Sequence, residues 1–274
     1  MYINIDTAHA LEVIGKWLDK LAREGKLPAG FPLEAVKEAM ALVMQNNTFE
    51  WGDLRFLQLL GTAMGTSAAC MWATIYFCVH ESTTLLPRFG NYLLLFCRFI
   101  DDIFGIWVGN PRGIRHAQFV EQTNNFGLLK WDFCRPSKSV DFLDLTIWIE
   151  DGQLLTKTFQ KAMNLYHYIS PSSNHPPKMI VGIIYSLLRT YMQQNSREED
   201  YLNVACLLHK RHVARGWDDD YLKRLILEAD FKLRLQPPPL PSPVTPPPLD
   251  PALLENSSND RIFFHAKYGR SDLS

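Results

Sequence analysis

Apolar residues recur at helical spacing near the start of the chain. Leu11, Ile14, Leu18 and Leu21 fall on one face and predict an amphipathic helix over residues 8 to 24. Met1 to Ile5 before it reads as the tail of a strand, with Asp6 or Thr7 placed to cap the helix. A Gly/Pro loop, Gly25 to Pro32, leads to a second helix over 33 to 45. Thr48 to Trp51 and Phe56 to Gln58 read as short strands joined by a turn at Gly52-Asp53. The pattern then changes, because Leu59 to Val79 holds no charged side chain. A run of that length is able to span a bilayer, and its Gly61-x-x-x-Gly65 spacing matches a membrane packing motif. Its abundance of Gly, Ala, Ser and Thr and its lack of basic anchors favour a buried helix, opened by the Gly61–Thr66 loop and ending near His80.

Two apolar runs rich in strand formers follow, Leu93 to Ile100 and Ile103 to Val108, and between them stand Asp101 and Asp102. This predicts a buried β-hairpin with two adjacent carboxylates at its tip. Burying such a pair costs several kcal/mol without a compensating charge, so the hairpin either holds a divalent cation or is a solvated Asp-Asp turn. Beyond it the pattern predicts a helix over 112 to 126 and a strand over 128 to 133. Val140 to Ile149 alternates as a strand and pairs across Glu150-Asp151-Gly152 with Leu154 to Thr158. Helices are predicted over 177 to 193, 196 to 212 and 218 to 234. Gln236 to Pro251 holds nine of the seventeen prolines and reads as an extended linker. Arg261 to His265 is a short strand-like piece.

These elements give an α+β chain. Residues 1–160 form an antiparallel sheet with packed helices, 161–235 a helical region, 236–251 a Pro-rich disordered linker and 252–274 a short tail. With 274 residues, 47% of them hydrophobic, the chain has ample material for a core and is not disordered as a whole. A net charge of −1 gives no overall electrostatic footprint for nucleic acid. Residues 157 to 234 nevertheless carry twelve Lys/Arg against eight Asp/Glu, densest at Lys210, Arg211 and Arg215. Phosphate contact and a plain solvated helix face are both open there. His209 and His212 lie three apart, with no third ligand to make a metal site. Five cysteines without a C-x-x-C spacing, and no signal peptide at Met1 to Asp6, point to reduced thiols in an intracellular protein, nuclear or cytoplasmic.

Phe99-Ile100-Asp101-Asp102 resembles the aromatic-x-Asp-Asp box of reverse transcriptases, and Gln58-Leu59-Leu60-Gly61-Thr62-Ala63-Met64-Gly65-Thr66 is similar to the glycine-rich segment that precedes that box. With Phe142-Leu143-Asp144 downstream, the order resembles the Penelope-like retroelement branch over roughly residues 1 to 235. The resemblance implies a polymerase palm followed by a thumb-like region. Its chemistry would be two-metal nucleotidyl transfer with Mg²⁺ held at Asp101 and Asp102. Nucleotide and template would lie at Tyr2, Gln58, Gly61 and Gly65, and the primer would be gripped at Phe142, Leu143 and Asp144. Lys210, Arg211 and Arg215 would meet phosphates of an RNA template and DNA primer, and deoxynucleoside triphosphates would be the substrates. The family places a further carboxylate a few residues before the position of Tyr2, and no Asp or Glu precedes Tyr2 here. The expectation is an N-terminally truncated palm whose isolated chain binds Mg²⁺ weakly and does not polymerise. The alternatives are a non-catalytic nucleic-acid-binding remnant and a membrane protein anchored by residues 59–79.

Overall fold

The structure, a computed structural model, describes residues 1–63, 65–229, 231 and 262–268. It is α+β, with antiparallel sheets, and its contacts divide into two units. The first unit holds residues 1–136 and strand 262–268, and the second begins at Ser137. The dividing line falls ahead of the hairpin strands, where the sequence reading sets it at residue 160. The expected linker over 236–251 lies outside the described residues, as does Met64.

In the first unit, helix α1 (Thr7–Arg23) starts where Asp6 accepts a hydrogen bond from the His9 amide at 3.0 Å, and it carries Lys20 and Arg23 in its last turn. Helix α2 (Leu33–Gln45) and the hairpin β1 (Thr48–Trp51) and β2 (Leu54–Leu57) follow as expected. Both hairpin strands are exposed along their length, and Phe49 stacks on Phe56 with centroids 5.4 Å apart.

Met1 to Ile5 is not a strand. Tyr2–Asn4 is a 3₁₀ turn closed by Asn4 N–H to Met1 C=O, and the Ile5 carbonyl accepts from the Gly61 amide at 3.0 Å. With those groups paired locally, this segment adds no strand to the sheet.

The apolar run past Gly61 becomes helix α3 (Ala69–His80), apolar on every side and largely buried. It does not end at His80. The chain continues through a π-helical turn, Glu81–Leu85, into α4 (Leu86–Phe89). Pro87 has no N–H to give to the preceding turn, and a widened turn just ahead of it absorbs the lost bond. No helix among the described residues is long and apolar enough to cross a membrane.

Strands β3 (Leu93–Phe99) and β4 (Asp102–Trp107) form the expected hairpin, followed by α5 (Ile114–Thr123) and β5 (Trp131–Phe133). Strand β9 (Ile262–Tyr268), from far along the chain, lies between β4 and β5, giving the order β3-β4-β9-β5. One face of this sheet, through Ile103, Trp107, Trp131, Phe264 and Ala266, packs into a single core with Ile14, Tyr76, Phe77 and Phe119. Gly105 is a packing glycine, since a Cβ there would stand 2.2 Å from the Phe264 ring.

In the second unit, the strand expected over 140–149 is two strands, β6 (Ser139–Phe142) and β7 (Leu145–Glu150). Leu143, at φ +53°, turns the chain back between them. Strand β8 (Gln153–Thr158) completes a three-stranded antiparallel sheet. Its outer edge is paired by Ser196 and Asn195, through Ser196 N–H to Thr156 C=O at 2.8 Å and Thr158 N–H to Asn195 Oδ1 at 3.0 Å. Helices α6 (Pro177–Gln194), α7 (Glu198–Val213) and α8 (Asp219–Glu228) pack around Ile184, Leu188, Tyr201, Leu208 and Leu222.

Each unit buries imidazole: His80 and His116 in the first, His212 in the second. Desolvation is the main cause that pulls all three below the ordinary imidazole range. An unfolded chain takes up protons near about pH 6.5, whereas these folded rings take them up at lower pH. The stability they confer is therefore complete above about pH 6.5 and is lost as pH falls through the lowered folded values. Urea midpoints should drop between about pH 7.5 and pH 5.5, and each His→Gln variant should flatten that drop.

Candidate functional site

The hairpin tip is built from four residues. Phe99 and Asp102 close the β3–β4 ladder, leaving Ile100 and Asp101 as a two-residue turn. Ile100 has φ +51°. A β-branched residue in that region is a genuine outlier, and a strain of about 1–3 kcal/mol persists only where the surroundings impose it. The turn leaves Phe99 and Asp101 exposed and Asp102 half-buried.

The surroundings that impose it are visible. Arg98, on β3, donates to both carboxylate oxygens of Glu81, at 2.6 and 2.9 Å, and both side chains are buried, at 5% and 10% exposure. The same guanidinium donates to the Ile100 carbonyl at 3.1 Å and the Thr74 carbonyl at 2.9 Å, and lies over the Phe77 ring. One cation thus ties the turn to α3 and to the π-helical segment. A bidentate Arg–carboxylate pair fixes orientation as well as charge.

Asp102 Oδ1 lies 3.5 Å from Nε2 of His265 on β9, whose Nδ1 is 4.0 Å from the sulfur of Cys134 just beyond β5. In the register of the sheet, Asp102 stands opposite Lys267, and so does Asp132.

The glycine-rich segment folds against residues 1 to 5. The Gly61 amide bonds Ile5, and a Cβ at Gly61 would lie 2.6 Å from the Ile3 Cα and carbonyl oxygen. Met1 and Ile5 join the core that holds Ile103 and against which Ile100 packs, and burial there lowers the affinity of the Met1 α-amino group for its proton. Gly61 and Gly65 have φ of +81° and +111°. Gln58 is occupied locally, its side chain donating to the Leu60 carbonyl at 2.9 Å. Tyr2 lies in the 3₁₀ turn, and its side chain is outside the described ones.

The remaining expected residues belong to the second unit. Phe142, Leu143 and Asp144 form the β6–β7 turn, with the Asp144 carbonyl accepting from the Phe159 amide at 2.8 Å. Arg211 donates to Gln160 Oε1 at 2.9 Å and sits 3.9 Å from the Tyr166 ring centre, and Arg215 donates to the Tyr168 carbonyl at 3.0 Å. Both hold the segment before α6 in place, while Lys210 is exposed. His209 pairs with Asp219 at 2.9 Å, and His212 stacks on Tyr168.

Three site residues escape the sequence reading: Arg98, Glu81 and His265. A lone cation in one apolar run and a lone acid at the end of another is a readable signal for the first two. His265 has none, because only the fold brings β9 to β4. Among the described residues no group of three or more His, Cys, Asp or Glu side chains is arranged to hold a metal ion. No protein-family model, no curated protein and no solved structure matches the chain.

Proposed function

We propose that the first unit is a reverse-transcriptase-type palm of the Penelope-like branch, in which Asp101 and Asp102 hold Mg²⁺ and the partners are an RNA template, a DNA primer and deoxynucleoside triphosphates. The observation that carries the reading is the strained turn at Ile100, locked by a buried arginine and presenting an exposed carboxylate at the tip of a hairpin that shares its core with Met1 and Ile5. Backbone strain that the surrounding structure holds in place clusters at functional sites.

The donor set suits magnesium, which is commonly bound by one or two carboxylates and completes its octahedron with water and substrate phosphate. When bound, the metal would stabilise the attacking 3′ oxygen and the leaving pyrophosphate. Asp101 is the exposed carboxylate, Asp102 lies 3.5 Å from His265 Nε2, and Arg98 keeps the turn that carries both. Gly65, exposed and with nothing within 4 Å of where a Cβ would stand, leaves room for a nucleotide to approach backbone, whereas at Gly61 that space is taken by Ile3.

One observation favours a second reading, nucleic-acid binding without catalysis. The strand bordering Asp102 is β9, which carries no Asp or Glu, so among the described residues the pair has no third carboxylate beside it. The two readings combine in one expectation: weak cation binding at the hairpin and little or no primer extension. Mn²⁺ titration followed by electron paramagnetic resonance should show a site that Asp101→Asn and Asp102→Asn each abolish while circular dichroism stays unchanged. Binding that survives both substitutions would end the proposal. Robust Mg²⁺-dependent extension of a primer on RNA, lost in Asp101→Ala, would show instead that the catalytic set is complete.

A further inference from the structure

A different feature stands out in the second unit. The face of the β6–β7–β8 sheet that carries Ser139, Thr146, Trp148 and Lys157 borders a cavity of about 530 Å³, closed on one side by the start of α7. Trp148 lies in its wall, with the Lys157 ammonium 5.8 Å and the Arg197 guanidinium 5.7 Å from the ring centre. The indole is fixed at its edge, where Nε1–H donates to Glu150 Oε2 at 3.0 Å. Glu150 also binds Arg197, which reaches Glu199 at 3.7 Å. One carboxylate therefore sets the positions of both the ring and one of the cations near it.

The cavity is of a size that holds small ligands, and its groups are of three kinds. A pre-positioned indole offers a flat surface for stacking. Lys138 and Lys157 supply positive charge from the sheet. Hydroxyls of Ser139 and Thr146 and carboxylates of Glu199 and Asp200 supply hydrogen-bond acceptors at the same opening. A simple anion would use the lysines but be opposed by the two acids, and a plain apolar ligand would use only the ring. A base bearing N–H donors, joined to a phosphate, uses all three.

We propose that this cavity binds a nucleoside phosphate, with the base stacked on Trp148, its N–H groups toward Glu199 and Asp200, and the phosphate between Lys138 and Lys157. The ligand is either a free nucleotide or one nucleotide of a single strand. The inference uses no residue of the Asp101–Asp102 hairpin and holds whether or not the first unit carries out nucleotidyl transfer.

The test uses the full chain in EDTA, with two probes: a fluorescein-labelled single-stranded RNA 12-mer read by anisotropy, and AMP and GMP read by calorimetry. Trp148→Leu should weaken binding about 5- to 100-fold, as loss of one stacked base does, while Trp148→Phe retains most of it. Lys157→Gln should weaken oligonucleotide binding and reduce the slope of log affinity against log salt by about one. An effect on both probes or on the mononucleotides alone identifies a free-nucleotide site, and an effect on the RNA alone identifies a strand site. Binding of both probes unchanged in Trp148→Leu and Lys157→Gln overturns the proposal. Should Trp148→Leu fail to fold, the surface change Lys157→Gln decides between these outcomes. Because EDTA strips divalent cations from the hairpin, the effects of Trp148→Leu and Lys157→Gln are read independently of cation binding at Asp101 and Asp102.

Discussion

Arg98→Met lowers the stability of the first unit by about 3–5 kcal/mol, the usual cost of leaving one partner of a buried ion pair uncompensated. Glu81 would be left as a buried carboxylate, and the carbonyls of Thr74 and Ile100 would lose their donor at the same time. Urea unfolding measures the loss. The double variant Arg98→Met, Glu81→Leu should recover much of it, because removing both charges also removes the desolvation penalty. Recovery of stability should not restore cation binding, since the Ile100 carbonyl remains untied and the turn relaxes from φ +51°. An Mn²⁺ titration of the double variant against the parent separates the two effects. Equal affinity would mean that the arginine stabilises the fold without shaping the tip.

The second large effect is expected at Gly61. Its φ of +81° is costly for any residue with a Cβ, and the new atom would meet the Ile3 backbone at 2.6 Å, with no flexible side-chain end to yield. Gly61→Ala should cost about 2–4 kcal/mol, strain and overpacking together, in chemical denaturation. It should also displace residues 1 to 5, which pair with this bend and share a core with Ile103, so cation affinity at the hairpin should fall with stability. Gly65→Ala is the useful comparison. It shares a positive φ, but nothing lies within 4 Å of its added Cβ, and it should show the conformational penalty alone.

Much of the fold was legible because its signals are local. The spacing of Leu11, Ile14, Leu18 and Leu21 gives α1, with Asp6 as the observed cap, and the apolar runs around Asp101 and Asp102 give β3 and β4. The errors fall where a distant contact outweighs the local pattern. Met1 to Ile5 looks like a strand, but its backbone groups pair within a turn and with Gly61. Val140 to Ile149 alternates as one strand, but Leu143 adopts a left-handed conformation that no propensity assigns to leucine. Phe142-Leu143-Asp144 and Phe99-Ile100-Asp101 are in this respect the same device, an aliphatic residue at positive φ followed by aspartate. The carboxylate pair was legible as chemistry, whereas Arg98 and Glu81 become part of the site only when helix and strand are brought together.

The position of β9 also bears on how the protein is made. His265 meets Cys134 across 131 residues of sequence, and the whole second unit is encoded in between. Contacts of such separation form late, because the loop must close before the pairing rewards it. On a ribosome, the core around Phe119 and Trp107 has to wait for Phe264 to emerge, while residues 137 to 229 are already free to collapse on their own. During that interval β4 and β5 present unpaired edges, so yield in an expression host should depend on chaperone supply and temperature more than the finished molecule's stability suggests.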